Sequence, residues 1–87
     1  MNLNKENLIN KIIYRSKYRG TKEMDLFVSS FVKSVINTLE INELNDLNYI
    51  INLSDEDIIK ISNKKNIKSK IKKGKVLDLL VNFNKNY

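Results

Sequence analysis

An all-α fold, a compact five-helix bundle, is predicted for this 87-residue chain by three observations. The sequence has no proline and only two glycines, Gly20 and Gly74, so long stretches run free of helix breakers. Its apolar residues recur at i, i+3, i+4 and i+7, the spacing that lines one face of a helix. No stretch alternates apolar and polar residues as a half-buried strand does, and nothing repeats at a fixed period. A chain of this length forms one domain, spanning residues 1–87, with a modest core.

Each element follows from its own residues. Leu8, Ile9, Ile12 and Ile13 predict a first helix from about Asn4 to Tyr18. Met24, Phe27, Val28, Phe31, Val32, Val35, Ile36 and Leu39 keep the helical rhythm over four turns and mark the centre of the core. Thr21 caps this second helix through its hydroxyl, and Glu23 and Asp25 fall in the first turn, where negative charge is favoured. Asn42 caps a third helix carrying Leu44, Leu47, Ile50 and Ile51. Ser54-Asp55-Glu56-Asp57 resembles a capping box, with Asp at its fourth position, opening a short fourth helix that buries Ile58, Ile59 and Ile61. Residues 63–75 are lysine-rich, with Ile67 and Ile71 four apart, and read as a frayed helical turn or a basic linker. The last helix carries Val76, Leu77, Leu80, Val81 and Phe83. Short connections between amphipathic helices complete the bundle.

Composition excludes several kinds of chemistry. Without cysteine there is no disulfide and no thiolate nucleophile or ligand, and without histidine the commonest general base and metal ligand is missing. There is no glycine-rich phosphate loop and no ligand set at metal spacing, so no catalytic residue and no metal ligand is assigned. The paired acids Asp55 and Asp57 sit at a helix start and read as caps. No apolar run reaches the ~20 residues of a membrane span, and the first residues lack a secretory or transit leader. The expectation is a cytoplasmic protein without membrane insertion.

The net charge of +6 divides into a basic first segment (+4 over residues 1–20), an acidic middle (−5 over 21–60) and a basic end (+7 over 61–87). The chain is also rich in Asn, Ile and Lys together, a bias that an AT-rich genome produces, which weakens the lysines as a sign of nucleic acid.

The segment from Tyr14 to Leu26 joins a basic, aromatic helix end to an acidic helix start through Gly20. Two readings of its Arg19-Gly20-x-x-Glu23 core stand side by side. In the first, Gly20 relieves strain at a helix–helix turn and the two charges are solvated or form a weak surface pair. In the second, the joint presents a guanidinium and a carboxylate together to another protein, with Gly20 letting a second backbone approach closely. Tyr14 and Tyr18 either pack on the second helix or widen that contact surface.

The order Lys11-Ile12-Ile13-Tyr14-Arg15-Ser16-Lys17-Tyr18-Arg19-Gly20-Thr21-Lys22-Glu23-Met24-Asp25-Leu26 closely resembles the SdhE family, small assembly factors for the flavoprotein subunit of succinate dehydrogenase. The likeness continues through Phe27 and Phe31, an acidic connector near Glu40–Asp46, and Leu53-Ser54-Asp55-Glu56-Asp57. It implies a five-helix bundle that is not an enzyme. Such a protein binds the flavoprotein subunit, of succinate dehydrogenase or of fumarate reductase, and promotes covalent attachment of FAD to that partner, holding no cofactor stably itself. It also implies that Arg19, Gly20 and Glu23, with Arg15 and Asp25, form the partner-binding surface. The chain departs from many relatives in having Tyr18 where a second arginine precedes the glycine, and in lacking a tryptophan in the fourth helix. The alternative from a different class is a small basic helical module that binds nucleic acid through Lys64–Lys75. That stretch contains no aromatic residue.

Overall fold

In the computed structural model, which describes residues 3–64 and 74–87, the chain folds as α1 (Leu3–Ser16), α2 (Lys22–Val35), a 3₁₀ turn (Ile36–Thr38), α3 (Ile41–Ile51), α4 (Asp55–Ser62) and α5 (Lys75–Asn86). Five α-helices and no strand are found among the described residues, as the helical spacing predicts. The expectation for a frayed turn at Ile67 and Ile71 lies outside them. So does most of the basic stretch from Lys64 to Lys75.

The second helix is the hub. Met24, Phe27, Val28, Phe31, Val32 and Val35 are all buried along its inner face, against α1 on one side and α5 on another. α1 also packs on α3, and α5 on α3 and α4. The rings of Phe27 and Phe31 both meet Phe83 of α5, with centroids 5.7 and 5.5 Å apart, and Phe27 meets the terminal Tyr87 edge-on at 5.1 Å.

Several helix limits differ from the sequence-based expectations, each for a local reason. α1 stops at Ser16 rather than Tyr18. The Ser16 hydroxyl donates back to the Ile13 carbonyl at 2.7 Å, and the Arg19 backbone N–H, four residues on from Arg15, goes to the Asp25 carboxylate instead of continuing the helix. α2 tightens into the 3₁₀ turn at Ile36, so Leu39 is buried from an extended backbone and not from a fourth helical turn. The cap of α3 is Glu40 and not Asn42, which lies inside the first turn. Glu40 has extended backbone angles, and Glu43 Oε1 accepts its N–H at 2.8 Å, the return half of a capping box. Thr21 and Ser54 cap α2 and α4 as expected, accepting from the Met24 and Asp57 N–H groups at 3.2 and 3.1 Å.

In α4, Ile58 and Ile61 are buried, but Ile59 is 47% exposed, correcting the expectation that all three enter the core. On an eight-residue helix only one narrow face meets the bundle, and Ile59 stands about 100° round from Ile58. The two buried polar side chains, Ser16 and Ser62, each spend their hydroxyl on the carbonyl three residues back. Among the described residues no buried side-chain polar atom is left without a partner.

Candidate partner-binding site at the first helix joint

Between α1 and α2 the chain turns in five residues, and Arg19 fixes that turn from both ends of its structure. Its backbone N–H donates to Asp25 Oδ1 in the first turn of α2. Its side chain, only 10% exposed, reaches the connection between α3 and α4. There Nε donates to Asp55 Oδ1 at 2.9 Å, Nη2 pairs with the same oxygen at 2.8 Å and donates to the Leu53 carbonyl at 2.8 Å, and Nη1 donates to the Ile51 carbonyl. Ile51 ends α3 and Asp55 begins α4. The guanidinium therefore sits at the negative end of one helix dipole and against an acid that the positive end of another favours. A planar fork of five donors suits this set of acceptors; an ammonium has no equivalent geometry. The clamp pins the α1–α2 joint onto the α3–α4 joint.

The five residues expected to form a partner-binding surface thus separate into two groups. Arg19 and Asp25 turn inward and are consumed by contacts within the chain. Arg15, Gly20 and Glu23 are exposed. The expectation that the joint presents the Arg19 guanidinium and the Glu23 carboxylate side by side is corrected: three acceptor oxygens in this chain hold the guanidinium, and Glu23 is exposed at the surface. Leu26, three residues along α2 from Glu23 and so on the same face, is 60% exposed, an apolar neighbour that the motif-based reading did not single out.

Gly20 has no internal reason to be glycine. No glycine among the described residues has positive φ, and a Cβ built at position 20 meets nothing nearer than Asp55 Oδ2, at an ordinary 3.6 Å. The strain-relief reading finds no support here. A side chain at position 20 would extend into the space outside the joint.

Asp55 is the residue that sequence reasoning missed. The sequence marks it as a helix-start acid, and nothing in Asp55-Glu56-Asp57 marks which of three adjacent carboxylates meets an arginine 36 residues earlier. Tyr14 and Tyr18 do not pack on α2. They are 67% and 70% exposed and lean on each other, with ring centroids 5.1 Å apart. Of the basic stretch behind the nucleic-acid alternative, Lys64 and Lys75 are among the described residues, and the Lys75 ammonium lies 3.8 Å from Glu43 of α3. No cluster of three or more potential metal ligands occurs among the described residues, and no described helix is long and apolar enough to cross a membrane.

Comparison with known proteins places the chain in a family. Residues 10–84 match the family described as flavinator of succinate dehydrogenase. Succinate dehydrogenase assembly factor 2, mitochondrial, of Arabidopsis thaliana is 37% identical over 57 residues, which cover 66% of this chain and 30% of that protein. The chain therefore aligns with under a third of the length of the curated relative it matches. No solved structure matches it. With the family match extending over most of its length, the chain belongs to the flavinator family.

Proposed function

We propose that this member of the flavinator family is an assembly factor that binds the flavoprotein subunit of succinate dehydrogenase and promotes covalent attachment of FAD to it. The observation that carries the reading is the division of labour at the first helix joint. An internal clamp holds Arg19 and Asp25, and that clamp presents Gly20 and Glu23, both free of internal duties, on a fixed outer face. A residue that is glycine without an internal need, beside an unpaired carboxylate and an exposed leucine, is what a close backbone-to-backbone docking contact requires.

The chain acts on the partner's conformation rather than on bonds. FAD is the cargo, and the acceptor side chain and the flavin both lie on the flavoprotein; this chain supplies neither histidine nor cysteine. Docking of the joint holds the flavoprotein in an arrangement that places flavin and acceptor for reaction, a contribution of orientation and not of acid–base chemistry. Arg15 and Glu23 are the charges that face the partner, and Gly20 is the point of closest approach. Arg19 and Asp25 are positioning residues that hold the other three in place. The same proposal takes in the assignments that this chain is not an enzyme, holds no FAD of its own, works in the cytoplasm before the complex assembles, and could equally serve the related fumarate reductase subunit.

The test is co-expression with the flavoprotein subunit, reading covalent flavin by in-gel fluorescence. Flavin should rise with the native chain and fall to background with Glu23→Arg, while the variant still melts cooperatively as a folded protein. Equal flavin with native chain, variant and no chain, together with no detectable complex, overturns the proposal.

A further inference from the structure

A second feature lies beside the joint, on its α1 side. The last turn of α1 carries Tyr14 and Arg15. The chain leaves the helix after Ser16, and Tyr18 brings its ring back onto Tyr14. These residues, with Arg19, Ile51 and Asn52, line an open cleft of about 420 Å³. Two charges reach it. The Arg19 guanidinium is spent on Asp55 and two carbonyls, whereas Arg15 is exposed and has no hydrogen-bond or ion-pair partner among the described residues. No carboxylate lines the cleft. Its walls are two tyrosine rings, each about two-thirds exposed, and the side chain that ends α3.

A cation at the end of α1 complements that helix's dipole, and this alone would account for Arg15. It does not account for two large rings held against each other in solvent at the mouth of a cleft. In a small domain with a modest core, exposed tyrosines that pair with each other and flank an uncommitted guanidinium form a surface with an apolar body and a polar tip, the composition of interface anchors. The sign of the charge selects the occupant. The guanidinium offers a two-pronged contact to a carboxylate, and no internal acid competes for it.

We propose that this cleft receives an acidic side chain, flanked by an apolar residue, from a surface segment of the flavoprotein partner. Arg15 grips the carboxylate and the Tyr14–Tyr18 pair covers the apolar neighbour. The inference rests on the assembly-factor reading above and deepens it, giving Arg15, the charge of opposite sign to Glu23 on that face, a cleft and an occupant. The two charges, one before the joint and one after it, give the docking a direction: the partner brings an acid to α1 and a base to α2. The basic tip of the cleft and the acidic start of α2 would repel a partner docked the other way round.

The experiment uses the full chain and the isolated flavoprotein subunit. Their Kd is measured for the native chain, Arg15→Gln, Tyr14→Ala and Glu23→Arg, each first confirmed by its melting curve to be folded. A photo-crosslinking residue is placed at position 18, or at position 49 as a control, where Tyr49 is exposed on α3 but outside the cleft. The expected result is a Kd about tenfold higher for Arg15→Gln, roughly 1.4 kcal/mol, a similar loss for Tyr14→Ala, and a position-18 adduct on a partner peptide containing Asp or Glu. Unchanged Kd for Arg15→Gln and Tyr14→Ala, with Glu23→Arg impaired, overturns the cleft assignment and leaves the assembly function standing. So does an adduct confined to position 49, or one to a second copy of this chain. Failure of the native chain to bind the flavoprotein at all overturns both.

Discussion

At its start α2 is held by directional polar contacts; along its middle it is held by ring packing. The first region is the Arg19 clamp, in which one guanidinium and one backbone N–H meet fixed oxygens on α2, α3 and α4. The second is the cluster of Phe27, Phe31, Phe83 and Tyr87, where α5 closes on α2 through tilted and edge-on rings. Ring packing supplies burial, the largest favourable term in folding, but burial is non-directional and depends on the area removed from water. Hydrogen bonds to a charged group contribute less net energy, yet they fail over a few tenths of an ångström. The molecule thus places its energy at one end and its geometry at the other, and the exposed residues with a proposed role in docking lie at the geometric end.

The comparison yields an order of effects. The largest belongs to the aromatic end. Phe31→Ala removes a ring that is 1% exposed at the α2–α5 contact and should cost about 3–5 kcal/mol. A domain of this size has a total stability of roughly 4–13 kcal/mol, so urea titration should show a greatly lowered midpoint or no folded baseline. A loss under about 1 kcal/mol would move the energetic centre elsewhere.

Next comes the clamp. Arg19→Ala strands Asp55 and two carbonyls and should cost about 2–3 kcal/mol; this is less than a fully buried pair because the Asp55 side chain is 31% exposed. Arg19→Lys should recover only part of this loss, since a lysine cannot meet the same acceptors. Thermal melts of both, set beside flavin attachment, sharpen the contrast. If Arg19→Lys melts like the native chain yet abolishes flavinylation, Arg19 touches the partner directly and the positioning role is wrong.

Two smaller effects are local. Ser54→Ala removes the hydroxyl that caps α4 and should cost about 1 kcal/mol by chemical denaturation. Lys64 has a left-handed backbone, φ 62°, just after the α4 C-cap. Lys64→Gly should therefore raise stability by up to about 1 kcal/mol, an increase in the denaturation midpoint that a relaxed conformation at this position would not produce.

The smallest effect on folding is expected where the effect on function is greatest. Gly20→Ala adds a methyl with room inside the chain, and Glu23→Arg changes an exposed charge. Gly20→Ala should leave stability within about 0.5 kcal/mol, and Glu23→Arg should cost no more than about 1 kcal/mol, because it puts a positive charge in the first turn of α2, while covalent flavin on the partner falls with both. Native flavinylation by Gly20→Ala would show that no backbone comes close at this point and would break the link between the two halves of the comparison.

Much of this was legible in the chain itself. The inner face of α2 was readable from spacing because burial imposes the helical period directly on residue type. Thr21 and Ser54 were readable as caps because a cap acts on an N–H only three residues away. Glu40 was not, because its role depends on the backbone turn after Leu39, where the apolar rhythm is still unbroken. Ile59 was misplaced because spacing reports how apolar a face is and not how wide a neighbour covers it. At the joint, the segment around Arg19 and Glu23 was visible as a motif, but its division into inward and outward residues was not.

Local sequence, then, determined the helices, the buried stripe of α2 and the position of the first joint. Each of these depends on interactions within about four residues, which the order of side chains encodes directly. Tertiary structure alone decided that Arg19 points inward, that Asp55 rather than Glu56 or Asp57 receives it, and that Gly20 and Glu23 are left to the surface. Those outcomes depend on bringing the end of α3 and the start of α4 against a loop more than thirty residues away, and no local pattern records which oxygen will be there.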